Sequence, residues 1–347
     1  MEEQRFRALP VQLLASDDGV FIKRGLTEIC IRGEGAFSAL SIILGIASDH
    51  AASRDEILAH FAGADEEVVE RLLNQLIERH FLIEERAIPR NTDQETSEEL
   101  FYWHFAGTRS ADQQAVLSQR RVDIIGVNHL SRQIGQSLQQ SGMSPRFIDH
   151  PLLRSLDFFD RDEIDAQRWQ LRTPSDIRIW ECNCESSDCV IIAVENGCCN
   201  IIEAVNQLCI DKGVIFLPVI LHDLRGYVGP LVVPKQSPCF FCLARRFDSN
   251  SMKPAESPFS SARTRFEQVR PSFHHSMVTV TGDIAAFEIV KFFGSIAEHS
   301  VGRLVEIDLL HQKVVSRSVL RLPRCPHCSP LSDISLTALK QSVFVID

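Results

Sequence analysis

Cys239-Phe240-Phe241-Cys242 and Cys325-Pro326-His327-Cys328 constrain this chain more than any other feature, because two C-x-x-C pairs 86 positions apart must meet in space if they share an ion. Each pair suits a knuckle that turns two thiolates toward one point, and two knuckles complete a closed, tetrahedral, four-thiolate shell of the structural kind. Proline stands close to both pairs, at Pro238 and Pro323, where it favours a turn. A zinc ion held by Cys239, Cys242, Cys325 and Cys328 would clamp distant segments together and contribute to folding stability. Two other readings compete with zinc: four unrelated buried thiols, and a redox C-x-x-C, for which one pair would suffice. His327, inside the second knuckle, is read as exposed rather than ligating.

The other cysteines bear on the compartment. The chain has 11 in all, and its start, MEEQRFRALPVQLL, lacks a basic-then-apolar signal region. No stretch approaches the ~20 uninterrupted apolar residues of a membrane span. A cytoplasmic protein with reduced thiols and no membrane partner is expected. Cys189 and Cys209 fit core positions. Cys182-Asn183-Cys184 is read as packing or as a C-x-C metal pair. Cys198-Cys199, at a strand-to-helix junction, is read either as buried packing or as a thiol whose pKa a helix N-terminus lowers.

A length of 347 residues allows two or three compact units. Short extended segments are expected at Val11 to Leu14, Val20 to Lys23 and Thr27 to Arg32, with turns at Asp17-Asp18-Gly19 and Gly25. Helices are expected over Ala36 to Ala47, from Ser53-Arg54-Asp55-Glu56, and from Gly63-Ala64-Asp65 with Val69, Leu72, Leu73, Leu76 and Ile77 on one face. Phe81-Leu82-Ile83 would close the unit as a strand. This pattern is that of an α+β winged helix-turn-helix, which often binds DNA through its third helix. Here that helix is acidic, with Asp65, Glu66, Glu67, Glu70 and Glu78 against Arg71 and Arg79. The whole chain carries a formal charge of −10, so phosphate would be repelled and no nucleic-acid partner is expected. A polar, proline-containing stretch then marks a linker, giving units at 1–86 and 119–347 joined through 87–118.

The second unit reads as α/β. Strands are expected at Val122 to Val127, Arg146 to Asp149, Asp188 to Val194 and Gly213 to Val219, with helices at Ser131 to Gln140 and Cys199 to Lys212, giving a mostly parallel sheet. The first βα turn keeps one glycine of a dinucleotide loop, Gly126; Asn128 and Ser131 stand at the other two glycine positions. Asp149 lies where a ribose-binding acid is found, and a purely structural role for it stays open.

Gly213 to Asn250 (GVIFLPVILHDLRGYVGPLVVPKQSPCFFCLARRFDSN) and Val305 to Cys328 (VEIDLLHQKVVSRSVLRLPRCPHC) together resemble the ThiF/MoeB-like leader-peptide-binding components of azoline cyclodehydratases. The resemblance is specific around Val228 to Pro234, both C-x-x-C pairs and Leu322-Pro323-Arg324. It implies a ThiF/MoeB-like Rossmann-type domain with structural zinc, preceded by a winged-helix peptide-recognition element. It also implies a partner of YcaO type, a separate protein that consumes ATP while Cys, Ser or Thr side chains of a ribosomal precursor peptide cyclise to thiazoline or oxazoline. Whether a flavin-dependent dehydrogenase joins stays open. The leader would add as a strand beside Thr27, Glu28, Ile29, Cys30, Ile31 and Arg32, against a helix offering Glu70, Arg71 and Asn74. An adenylating enzyme of the ThiF type is the alternative. The degraded glycine loop and the segment HPLLRSLDFF, which replaces an Asn-Leu-x-Arg-Gln type sequence, both depart from it. The stretch from Asn250 to His275 receives no role.

Overall fold

Alternation of period two in the first thirty residues gives way, after residue 121, to runs of consecutive apolar residues, and a different kind of sheet is built from each. The structure is a computed structural model that describes residues 4–17, 19–61, 66–85, 97–195, 197–222, 224–250, 252, 258–259, 273–296, 299 and 301–329. Most of the Asn250 to His275 stretch lies outside them. The chain divides into two compact units, Met1–Gln113 and Gln114–Asp347.

In the first unit β1 (Arg5–Ala8) precedes a meander of β2 (Gln12–Ser16), β3 (Gly19–Arg24) and β4 (Thr27–Arg32), all antiparallel, with β3 in the centre and β4 on an edge. Gly19 is required at its turn, since a Cβ there would stand 2.2 Å from the Ile31 carbonyl oxygen. Helix α1 (Ala36–Asp49) buries Leu40, Ile43, Leu44 and Ala47. After β5 (Ala52–Ser53), α2 (Arg54–Leu58) starts on a capping box: the Ser53 hydroxyl accepts from the Glu56 N–H, and the Glu56 carboxylate accepts from the Ser53 N–H. Helix α3 (Glu66–Glu78) buries Val69, Leu73 and Leu76, the last two in the same core. The closing strand β6 (Leu82–Glu84) pairs with β1, whose other neighbour is β5. Four residues of β1 are too few to show an alternation, so the sequence did not announce that strand.

Part of the segment read as linker is helical: α4 (Ser97–Ala106) and α5 (Ser110–Ser118). Polar residues up to Glu99 conceal the aromatic run that follows. Trp103 packs with Leu9 and Ile83, and burial of such a side chain stabilises an element by a few kcal/mol. The division between the units falls within α5.

The second unit alternates strand and helix through β7 (Val122–Ile125), α6 (His129–Gln140) and β8 (Arg146–Asp149). Short elements follow: β9 (Phe159–Asp160), β10 (Glu163–Ile164), α7 (Ala166–Trp169), β11 (Ser175–Asp176) and α8 (Ile177–Glu181). Then come β12 (Cys189–Glu195), α9 (Cys199–Lys212), β13 (Ile215–His222), β14 (Arg225–Val228), α10 (Phe240–Asn250), α11 (His275–Gly294), β15 (Arg303–Asp308) and β16 (Lys313–Ser318). Eight strands form one sheet in the order β11-β8-β7-β12-β13-β14-β15-β16. The sheet is mixed rather than mostly parallel: it is parallel from β11 to β13, and antiparallel from there to β16. Tight returns after β13 and β15 leave no room for crossover helices. Val190, Ile192 and Val194 of β12 share a core with Ile202, Val205 and Cys209 of α9, while α6 and α11 pack against one another.

Candidate functional site

Three places carry the chemistry anticipated from the sequence. The first is the cysteine group. Cys239 sits just before α10 and Cys242 lies in its first turn, while Cys325 and Cys328 lie in a turn after β16. All four are buried, and their sulfurs lie within 4.8 Å of one another. The separations are 3.9 Å for Cys239–Cys242, 3.6 Å for Cys239–Cys325 and 3.5 Å for Cys242–Cys328. A tetrahedron with ~2.3 Å zinc–sulfur bonds has edges of ~3.8 Å, whereas a disulfide needs ~2.05 Å. The group therefore fits a metal ion such as zinc. Hydrogen bonds to Cys239 and Cys328 draw the Cys242 thiol down to about 2, and the same contact with Cys242 pushes Cys239 up. The Leu322 N–H donates to Cys242 Sγ at 3.4 Å, and Arg246 donates to the carbonyls of Leu320 and Arg321, so the protein holds the two knuckles together as well. His327 is half-buried and edge-on to Phe241 at 4.8 Å rather than exposed.

The remaining cysteines take other roles. Cys189 and Cys209 are fully buried, and Cys184 hydrogen-bonds to Cys209, leaving Cys182 exposed. Of the two readings left open for Cys198-Cys199, buried packing fits and a lowered pKa does not. Burial pushes both thiols up, Cys199 to about 12, and Cys199 Sγ donates to the Pro258 carbonyl at 3.2 Å.

The second place is the crevice at the carboxyl ends of β7 and β12. Gly126 has φ +114°, and a Cβ there would stand 2.8 Å from the Ala193 carbonyl oxygen and 2.9 Å from Asn128 Nδ2. The Asn128 side chain is buried with its polar atoms taken. Its Nδ2 donates to the carbonyls of Leu153 (3.1 Å) and Ala193 (2.9 Å), and its Oδ1 accepts from the Ser131 N–H (2.9 Å). The Ser131 hydroxyl accepts from the Asn128 N–H at 3.0 Å, completing a capping box on α6. Glu195, at the end of β12, accepts from the Leu130 N–H at 2.9 Å. Burial lifts the Glu195 carboxyl to about 7, against the opposing pull of the Leu130 and His129 main-chain bonds. Asp149 is bound by both arms of Arg154, at 2.8 and 2.5 Å. The Glu195 contact had no sequence signal, because its partner lies 65 positions away.

The third place is the edge of β4. Ile29 and Ile31 pack on the core of the first unit and Thr27 is half-buried, whereas Glu28, Cys30 and Arg32 are exposed. A two-residue turn, Gly25-Leu26, closes on the Arg24–Thr27 pair, so ladder bonds to β3 fall at Thr27, Ile29 and Ile31. The main-chain groups of Glu28, Cys30 and Arg32 thus point away from β3, and no described strand lies beyond them. Glu70, Arg71 and Asn74 are exposed on α3. Leu72 and Ile77 of that helix border the same core as Ile29 and Ile31. Helix α4 fastens the start of β4. His104 Nε2 lies 2.9 Å from Thr27 Oγ1, Arg24 donates to the Leu100 carbonyl at 3.4 Å, and His80 Nδ1 lies 2.8 Å from the His104 carbonyl. Burial pushes the His104 pKa down, which keeps the ring neutral.

Residues 163–329 match the ThiF family. No curated protein matches the sequence. Similar solved structures include E. coli MccB, with 17% identity and a TM-score of 0.69 over 94% of this chain and 97% of that one. E. coli MccB with AMPCPP and selenomethionine MccA gives 18% identity and a TM-score of 0.67, over 94% of this chain and 100% of that one. A heterocyclase in complex with substrate and cofactor gives 15% identity and a TM-score of 0.56, over 94% of this chain and 40% of that one. Likeness at these identities concerns fold, and the second unit is an α/β, ThiF-like, Rossmann-type fold with a mixed sheet. Among the described residues, no helix is long and apolar enough to cross a membrane.

Proposed function

We propose that this protein captures the leader of a ribosomally made precursor peptide on the outer edge of β4 and presents the peptide core to a separate YcaO-type partner. That partner consumes ATP as it closes Cys, Ser or Thr side chains onto backbone amides to form thiazoline or oxazoline. The first unit is read as a winged helix-turn-helix peptide-recognition element, and the four cysteines as a structural zinc clamp. The observation that carries the reading is the edge itself: outward main-chain groups at Glu28, Cys30 and Arg32, on a strand whose Ile29 and Ile31 pack on the core. An extended peptide would take those groups as a new strand, with Glu70, Arg71 and Asn74 of α3 selecting side chains. Its likeness in fold to a heterocyclase solved with substrate and to MccB solved with MccA supports this reading. The acidic α3 speaks against duplex DNA.

The test is calorimetric titration of the full-length chain with the leader of a Cys/Ser/Thr-rich peptide encoded beside it. Cys30→Pro removes one outward N–H without touching the β3 ladder, a substitution an edge strand tolerates. It should weaken binding by at least about tenfold, while a substitution at exposed Asp283 of α11 leaves binding unchanged. Equal affinity in wild type and Cys30→Pro would contradict the proposal.

A further inference from the structure

In open α/β sheets a ligand enters where the strand order reverses, which here is between β7 and β12. A nucleotide seated there rests its pyrophosphate on the amides at the start of the first helix, reached through glycine, and its ribose on an acid ending the second strand. This chain answers each requirement with its own side chains. The Leu130 N–H of α6 is taken by the Glu195 carboxylate, and the Ser131 N–H by Asn128. Asn128 also spans the crevice to the Ala193 carbonyl at 2.9 Å, filling the space that a glycine would leave for phosphate. Asp149, the acid in the ribose position, is engaged by both arms of Arg154. The residues present do not fit a nucleotide.

We propose that this crevice is closed from within: Glu195 and Asn128 occupy the donors and the space of a nucleotide pyrophosphate, and the β7–β12 junction is a brace instead of a nucleotide site. A carboxylate is the side chain suited to this role, because the first turn of a helix favours negative charge. The inference does not rest on peptide capture, since a chain that captures no leader could still have a closed crevice.

The experiment titrates the full-length protein with Mg-ATP and, separately, with inorganic pyrophosphate. Wild type is compared with Glu195→Ala and with the double variant Glu195→Ala/Asn128→Gly, each checked for an intact unfolding transition. Wild type should bind neither probe at millimolar concentration, and the opened variants should gain pyrophosphate binding by at least about tenfold. The single variant serves if the double one does not fold. Wild-type ATP binding that Glu195→Ala weakens would overturn the inference by making Glu195 a nucleotide contact. A folded, opened variant with no gain would overturn it too, because the vacated space would then not be the seat.

Discussion

A buried thiolate persists only where a cation or several donors share its site. Cys242 has the Leu322 N–H at 3.4 Å and sulfurs at 3.9 and 3.5 Å, and zinc would allow all four sulfurs to ionise together. Purified protein should therefore contain one zinc per chain. Cys242→Ser should lose the metal and lower the unfolding midpoint by about 10 °C, since ~1 kcal/mol moves a domain of this size by about 2–4 °C. Metal analysis and thermal unfolding check both, and a metal-free wild type with an unchanged midpoint in the variant would refute the clamp. This site was legible in the sequence because each knuckle keeps its two ligands within four residues. Glu195 was not: an acid ending an apolar run looks like a strand emerging into solvent, and only the fold brings it to Leu130. Asn128 lies between these cases, since its replacement of a glycine was visible but the three hydrogen-bond partners of its side chain were not.

Strands β7 and β8 are held by more than their ladder. Asp123, fully buried in β7, receives both arms of Arg146 at 2.7 and 2.9 Å, the Trp180 indole N–H at 2.7 Å and the Ser187 hydroxyl. These bonds join β7, β8, α8 and the turn before β12 through one carboxylate. Asp123→Ala strands those donors and should cost about 3 kcal/mol, the range for breaking a buried charged network. Chemical denaturation reads the loss directly; a change under about 0.5 kcal/mol, ordinary for a surface site, would show that the network contributes nothing. Within Val122-Asp123-Ile124-Ile125 the acid reads as a solvent-facing strand residue, because its partners at 146, 180 and 187 are invisible to any local pattern. Strand β4 and helices α1 to α3 were legible, their apolar periods being long enough to register. Helix α4 was hidden behind a polar segment, yet His104 and Trp103 make it part of the first unit. A recognition fragment should accordingly extend through residue 113 and not stop near 86.

At the scale of the whole chain, the first unit offers a strand edge with no described neighbour, and the second holds a mixed sheet and a buried four-cysteine group that fits a metal ion. On the proposed reading the outward main-chain groups of β4 engage a partner peptide, while the β7–β12 crevice is filled by Asn128 and Glu195. Hydrogen exchange of the full-length protein, with and without saturating leader peptide, reads those groups individually. Peptide capture on β4 should slow exchange at Glu28, Cys30 and Arg32, extending to α3, with the amides of β12 and β13 unchanged. Protection confined to residues 114–347, or no protection at saturation, would contradict it.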